Sequence, residues 1–475
     1  MIFTEHRFLF FFLVVFLIHW ALPGQRTRKL WLLGASYAFY ASWDFRFLSL
    51  ILTSTIVDYL VGIGLARTQL PGRRKILLLV SIFVNLSILG VFKYFDFFVE
   101  SASELLKFMG LTTEVPRLNL ILPVGLSFYT FQTLSYSIDV YRRKLKPTYN
   151  FIDLSLFVAF FPQLVAGPIV RAIHFLPQLR SARRWTRVDV RACLVIFMVG
   201  FVQKAVLADH AAPIVDAYFA APDSYSMVSG WVANFMFLLQ VYCDFAGYSN
   251  MAIGAAGLLG YQLPVNFLFP YLAGNPASAW QRWHISLSSW ISDYVYKPLR
   301  RPGQSRMANY RNLMLTFTLF GLWHGASFNF ILWGATWGLA TVGYMQWSRF
   351  RRLHTHWGPL PSWLAVTLFM AWIALSITFF RAPDFGTAWT VIKTLLFLAP
   401  AGDLPLEGFG GLLGVGGLSL SLLLLFLIHA ANQRGIFRWW VRVPSQVFAA
   451  GYGAAVPMVF ACTAINVEPF IYFQF

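Results

Sequence analysis

Charge is scarce in this sequence: Asp, Glu, Lys and Arg make up only 12% of its 475 residues, and the 19 acidic side chains are about half as numerous as the 37 basic ones. Cysteine is scarcer still. Cys193, Cys243 and Cys462 lie far apart in apolar stretches, without CxxC or metal-ligand spacing, and are expected to be small buried hydrophobes rather than a disulfide framework or a thiolate metal site. Walker loops, G-x-S-x-G elbows and HExxH pairs are missing, and the Gly-rich stretches do not follow strands, which leaves soluble nucleotide and protease chemistry without support. What is abundant is apolar surface. Hydrophobic residues account for 58% of the chain and the mean hydropathy is +0.61, so the solvent is a lipid bilayer.

The net charge of +18 does not point to nucleic acid. Its carriers sit in short loops between apolar runs, at Arg26, Arg28 and Lys29, at Arg67, Arg73, Arg74 and Lys75, and at Arg142, Arg143 and Lys144. Such loops face the cytoplasm. The turns between them, near Ser42–Asp44 and from Glu100 to Arg117, then face outside, and so does the N-terminus. The run Phe8–Leu22 lacks a basic leader and a small-x-small cleavage site and is expected to be a retained first span.

Apolar runs bounded by charge, Pro or Gly predict spans near 7–22, 30–44, 47–66, 76–99 and 120–140, followed by 151–170, 190–208, 227–263, 312–347, 362–380, 412–430 and 445–462. That makes about 11–13 transmembrane or re-entrant helices at about 20 residues per crossing. The expectation is an all-α integral membrane protein forming one polytopic domain over 1–475, with N-terminal spans to 118, a catalytic core at 119–347 and C-terminal spans beyond. The run 312–347 is too long for one perpendicular helix, and Gly321 with Gly325 marks its break. Residues 266–301 mix Trp with Arg, His and Lys and read as interfacial or re-entrant. No internal repeat is evident, which weighs against a transporter built from duplicated halves.

Nine histidines are present. His6, His19 and His429 lie at span ends or in apolar runs, where packing explains them. His354 and His356 form an H-x-H without carboxylates or cysteines nearby, and no metal site is expected. His324 differs. In Gly321-Leu322-Trp323-His324-Gly325, an ionisable ring stands inside apolar sequence between glycines that permit close approach. Intramembrane ionisable groups are functional candidates, and burial keeps imidazole neutral and able to take a proton; a satisfied structural histidine is the alternative. His284 lies in Trp280-Gln281-Arg282-Trp283-His284-Ile285-Ser286. Arg282 there suits a phosphate or simply the positive face of an interfacial helix. In Tyr242-Cys243-Asp244-Phe245, the polar groups fit either a lined cavity or helix-to-helix hydrogen bonds.

Taken together, the stretches Ser127–Tyr136, Phe161–Ile169, Tyr242–Ser249, Asn266–Tyr271, Arg282–Ser289, Leu322–Ala326 and Phe470–Phe475 resemble the membrane-bound O-acyltransferase family, in its bacterial branch typified by the alginate O-acetylation membrane protein. The resemblance implies a ring of tilted helices around a central funnel, with His324 and His284 as the catalytic positions. It further implies acyl-CoA binding by Trp280, Gln281, Arg282, Trp283, Ser286 and Tyr294, and a cavity lined by Tyr242, Asp244, Asn266 and Trp323. The implied activity moves an acyl group, acetyl above all, from cytosolic acetyl-CoA, a co-substrate and not a bound cofactor, to a hydroxyl outside the bacterial inner membrane. Expected partners are the lipid bilayer, a periplasmic SGNH-hydrolase-like acetyl-handling protein, and polysaccharide synthesis or export proteins. Where family members carry Trp-Phe-Arg-Asp-Tyr and Ile-Pro-Leu-Gly-Gly, this chain has Trp290-Ile291-Ser292-Asp293-Tyr294 and Lys297-Pro298-Leu299-Arg300-Arg301. This divergent loop leaves the acceptor open among alginate, cellulose, peptidoglycan and other envelope glycans. A transporter or flippase of a glycan precursor is the competing class.

Overall fold

A computed structural model describes residues 1–111, 117–354, 358–406, 413–432, 441–464 and 470–471. The described chain is helical, with no strand beyond the single bridge Tyr225–Leu404. Four helical runs are long and apolar enough to cross a bilayer, Gln25–Arg67, Pro71–Phe108, Val190–Ala220 and Ser362–Arg381, and shorter apolar helices cover His6–Ala21, Gly414–Ala430 and Ser445–Ala461. The protein is an all-α, multi-pass membrane protein.

Its contacts divide into two compact units, Met1–Phe197 with Ser249–Pro264, and Met198–Tyr248 with Val265–Phe475. In the first unit, the run Gln25–Arg67 consists of the helices Gln25–Asp44 and Leu48–Arg67, each of 20 residues, on either side of a tight turn at Phe45–Phe47. Each helix is about 30 Å long, the thickness of the hydrocarbon core. Leu48–Arg67, Pro71–Leu89 and Leu126–Tyr141 are joined by a buried polar network. The Asp58 carboxylate accepts from Ser81 Oγ, from Ser137 Oγ at 2.5 Å and from Asn85 Nδ2 at 2.9 Å. Lys29 pairs with Asp153 at 2.5 Å. These bonds satisfy polar groups that lipid cannot.

One expected span changes form. The run 151–170 is not a continuous helix: Phe151–Ala159 covers nine residues, about 14 Å, and only the single turn Phe161–Leu164 follows. Pro162 has no N–H to continue the ladder, and its ring would clash with a carbonyl one turn back.

The second unit carries the groups singled out above. The long apolar run 312–347 does break: Arg306–His324 ends, three residues intervene, and Phe328–Leu353 begins. The two helices approach closely at glycines. A Cβ on Gly321 would lie 2.1 Å from the Phe330 carbonyl oxygen, and one on Gly334 would lie 2.2 Å from that of Phe317. The stretch 266–301 is irregular, with the short helices Pro276–Trp280 and Ile285–Ile291 and a π-helical turn at Ser292–Tyr296.

Deep in this unit, Lys204 Nζ lies 2.7 Å from Asp209 Oδ1 and 2.5 Å from Asp244 Oδ1, with all three side chains no more than 3% exposed. The second oxygen of Asp244 accepts the backbone N–H of Ile471 at 2.8 Å. Lys204 is on a π-helical turn, Val202–Ala208. One cation thus pairs with carboxylates from two helices, and the second of these holds the backbone N–H of Ile471.

Candidate active site

His324 is the last residue of its helix, and Gly325 leaves in an extended conformation. The small residue is required there: a Cβ on Gly325 would fall 2.1 Å from the Phe330 ring. The imidazole is buried and held in an aromatic cage. Ring centroids lie 4.7 Å away for Phe320, 5.0 Å for Trp323, 5.0 Å for Trp333 and 5.3 Å for Phe380, all edge-to-face. Phe320 is one turn back on the same helix, and Trp333 comes from the facing helix. Phe380 is placed by the turn Thr378–Arg381, which is anchored by Thr378 Oγ1 donating to Asn234 at 2.9 Å and Asn329 Nδ2 donating to the Ala382 carbonyl at 3.0 Å.

His324 forms part of the wall of a cavity of about 50 Å³. Trp280, Trp283, Tyr271, Trp333 and Trp337 line it with aliphatic residues, and no charged side chain is in the lining. Tyr271 is fixed by its hydroxyl donating to the Leu238 carbonyl. The indole N–H groups of Trp280, Trp333 and Trp337 make no hydrogen bond among the described residues. Among the described residues no cluster of His, Cys, Asp and Glu could hold a metal ion.

His284 is fully buried beside this wall. Its backbone is left-handed, φ +42° and ψ +54°, a conformation that costs a side-chain-bearing residue energy and persists where the surroundings enforce it. Two backbone bonds do so, from Ile285 N to Asn266 O and from Leu268 N to Arg282 O, both at 2.8 Å. The Asn266 amide oxygen then gathers three donors, Ser286 Oγ at 2.9 Å, Ser286 N at 3.3 Å and His284 Nδ1 at 3.0 Å. Because the two serine groups fix that atom as the acceptor, His284 Nδ1 carries the proton and Nε2 carries the lone pair. Burial holds the His284 imidazole well below the usual histidine range and keeps it neutral. The Trp323 ring is 6.4 Å from His284 and 5.0 Å from His324. It stands beside both catalytic candidates.

The remaining expected residues separate into those that reach the cavity and those that do not. Trp280 and Trp283 line it. Gln281 is exposed, and Arg282 is half-buried, contributing its carbonyl to the loop just described. Ser286 and Asn266 position His284. Tyr294 packs at a tilt against Trp290, with ring centroids 5.0 Å apart, and is not in this wall. Asp244 belongs to the Lys204 ion cluster. Tyr242 is buried next to Tyr271 and Trp283, with centroids 5.2 and 6.2 Å away, and its hydroxyl bonds His429 Nε2 at 3.1 Å. That bond brings in a histidine that sequence reasoning left to packing. Trp333, Trp337 and Phe380 were also missed, although Trp333 and Trp337 stand four apart on one helical face. His354 is at the end of its helix. His356, the other half of the H-x-H, and Tyr472–Phe475 of the C-terminal motif lie outside the described residues.

The pattern of the MBOAT, membrane-bound O-acyltransferase, family matches residues 36–381. The chain is 41% identical over 341 residues to a probable alginate O-acetylase of Pseudomonas aeruginosa, covering 71% of this chain and 65% of that protein. It is 34% identical over 432 residues to a peptidoglycan O-acetyltransferase of Helicobacter pylori, covering 84% and 80%, and 27% identical over 279 residues to a teichoic acid D-alanyltransferase of Bacillus subtilis, covering 56% and 67%. The matched stretch thus spans just under two thirds of the alginate relative's length. With the family pattern running through both catalytic candidates and across most of the sequence, the chain belongs to the membrane-bound O-acyltransferase family.

Proposed function

We propose that this protein is an O-acyltransferase that moves an acetyl group from cytosolic acetyl-CoA to a hydroxyl on an extracytoplasmic glycan or on a relay protein. The observation that carries this reading is the place of His324, a buried imidazole in the wall of a small cavity without charge, flanked by Trp280 and Trp283 of the segment assigned to the donor. The imidazole removes the proton from the acceptor hydroxyl as its oxygen attacks the thioester carbonyl. The C–S bond breaks, and the CoA thiolate leaves and recovers that proton. General-base assistance of this kind supplies on the order of 10² to 10⁴ in rate, and holding both substrates at one point supplies a further several kcal/mol.

His284 is the second group. With its Nδ1 proton committed to Asn266, the neutral ring offers only the Nε2 lone pair, which can accept from an amide or hydroxyl of a bound substrate. In this reading Arg282, the basic residue of the same segment, is assigned to the CoA phosphates, which a guanidinium binds bidentately. The names of the alginate and peptidoglycan relatives support acetyl as the group and an envelope glycan as the acceptor. In this reading the protein sits in the bacterial inner membrane with its N-terminus outside, and an SGNH-hydrolase-like periplasmic protein and polysaccharide synthesis or export proteins are its partners.

The test uses the full-length protein in proteoliposomes with radiolabelled acetyl-CoA outside and envelope glycan inside. Release of CoA together with label on the glycan is expected. Label that accumulates inside without a covalent product would replace this reading with a transporter, and neither event would end it.

A further inference from the structure

The helices Arg306–His324 and Phe328–Leu353 run antiparallel, since Gly334 meets Gly321 and a Cβ on Gly338 would lie 2.8 Å from Met314 Sδ. Farther out along the same register, Arg306 comes level with Gln346, and the last turn of the second helix lies just beyond. The start of one helix and the end of the other therefore share one end of the hairpin. Because Arg306–His324 is 19 residues long, that end is about 27 Å from His324.

This end is basic and uncompensated. Arg300, Arg301 and Arg306 lead into the first helix, and Arg349, Arg351 and Arg352 close the second. Between Asp244 and Asp384 the sequence has a single acidic residue, Asp293, and Lys297 holds it at 2.5 Å. None of the six arginines is in a salt bridge among the described residues, and the Nε–H of Arg351 is buried with no acceptor among them. The approach to Arg306 is pinned in place. Tyr296 donates to Asn309 at 2.8 Å, Asn312 Nδ2 to the Leu299 carbonyl at 2.8 Å, and the Arg301 N–H to Gln304 Oε1 at 3.0 Å, while the Arg300 guanidinium lies over the Tyr296 ring. Leu299, Met307, Trp347 and Phe350 are exposed among these charges, so the surface is cationic and apolar at once.

We propose that this end of the hairpin binds an anionic phospholipid of the cytoplasmic leaflet, its arginines taking the headgroup phosphate and its exposed apolar side chains lying against the acyl chains. A soluble phosphate or an acidic protein matches the charge alone; a phospholipid matches both characters. Basic loops keep to the cytoplasmic side of the bilayer, clusters of roughly four to eight Lys and Arg at a helix end attract acidic lipids, and a guanidinium meets a phosphate bidentately. The proposal does not depend on the transferase reading.

The experiment is native mass spectrometry of the full-length, detergent-purified protein titrated with dioctanoyl phosphatidylglycerol, and separately with dioctanoyl phosphatidylcholine. The test variant combines Arg301→Gln with Arg352→Gln, one exposed side chain from each side of the hairpin end. Its charge-matched control combines Arg184→Gln with Arg187→Gln, exposed arginines elsewhere in the chain. Each basic residue at an anionic surface is worth about fivefold in affinity, so the test variant should bind phosphatidylglycerol at least about 10-fold more weakly than wild type, and the control within about twofold of it. Wild type should prefer phosphatidylglycerol to phosphatidylcholine by at least about 10-fold. Equal binding of the two lipids by wild type overturns the proposal, as does a test variant that binds like wild type or a control that loses as much. Displacement of phosphatidylglycerol by equimolar inorganic phosphate or acetyl-CoA also overturns it, because the ligand is then a soluble phosphate. If the double variant does not melt with wild type, Arg301→Gln alone decides, with an expected loss of about fivefold and an unchanged affinity as the contrary result.

Discussion

Replacing Lys204 with methionine isolates the energetics of the buried ion cluster. The ammonium lies 2.7 and 2.5 Å from the carboxylates of Asp209 and Asp244, and no member is more than 3% exposed, so Lys204→Met leaves two carboxylates in a low-dielectric site without their shared cation. Breaking one buried pair costs about 3–5 kcal/mol. Two acceptors lose the same partner here, which places the cost at the upper end, about 5 kcal/mol, a large share of a total stability of roughly 5–15 kcal/mol. Truncation of the lysine also frees the Asp244 carboxylate that holds the Ile471 N–H. The assay is thermal unfolding of detergent-purified protein by tryptophan fluorescence, with the triple variant Lys204→Met, Asp209→Asn, Asp244→Asn as its partner. The triple variant buries no charge and keeps an acceptor oxygen for Ile471, so it should melt close to wild type while the single variant melts far below it. A single variant that loses less than about 1 kcal/mol, or a triple variant no better than the single, would refute the claim that these charges are buried together.

Other perturbations follow from the site. Asn266→Ala removes the acceptor shared by His284 Nδ1 and Ser286, which should cost about 1–3 kcal/mol in unfolding measurements. Gly321→Ala drives a methyl into the Phe330 carbonyl and should lower the melting point by the equivalent of about 1–3 kcal/mol or more. Gly343→Ala, in the same helical hairpin but with nothing within 4 Å of the added carbon, should be neutral or stabilising by up to about 1 kcal/mol, so equal behaviour of the two glycines would contradict the close helix approach.

Much of this architecture is legible in the sequence because lipid imposes one-dimensional rules. Apolar length alone separated Gln25–Asp44 from Leu48–Arg67 and required the break after His324, where the glycines marked its place. The helix interruption at Phe160 was visible in Pro162 but was outweighed by the hydrophobicity of the run. What the sequence hides is pairing across long separations. The bond between Tyr242 and His429 spans 187 residues. Asp244 reads as a lone carboxylate in an apolar run until the fold brings Lys204 to it from another helix. For His284, the motif gave the residue, but its tautomer depends on Asn266 and Ser286 converging on one atom.

The central claim is that His324 is the base. Its most direct test is the rate of acetyl transfer from labelled acetyl-CoA by the full-length protein with His324→Asn, measured at saturating donor beside wild type of equal melting temperature. Loss of general-base catalysis should lower the rate by about 10² to 10⁴ with acetyl-CoA binding unchanged. A variant that transfers acetyl within about threefold of wild type would contradict the account.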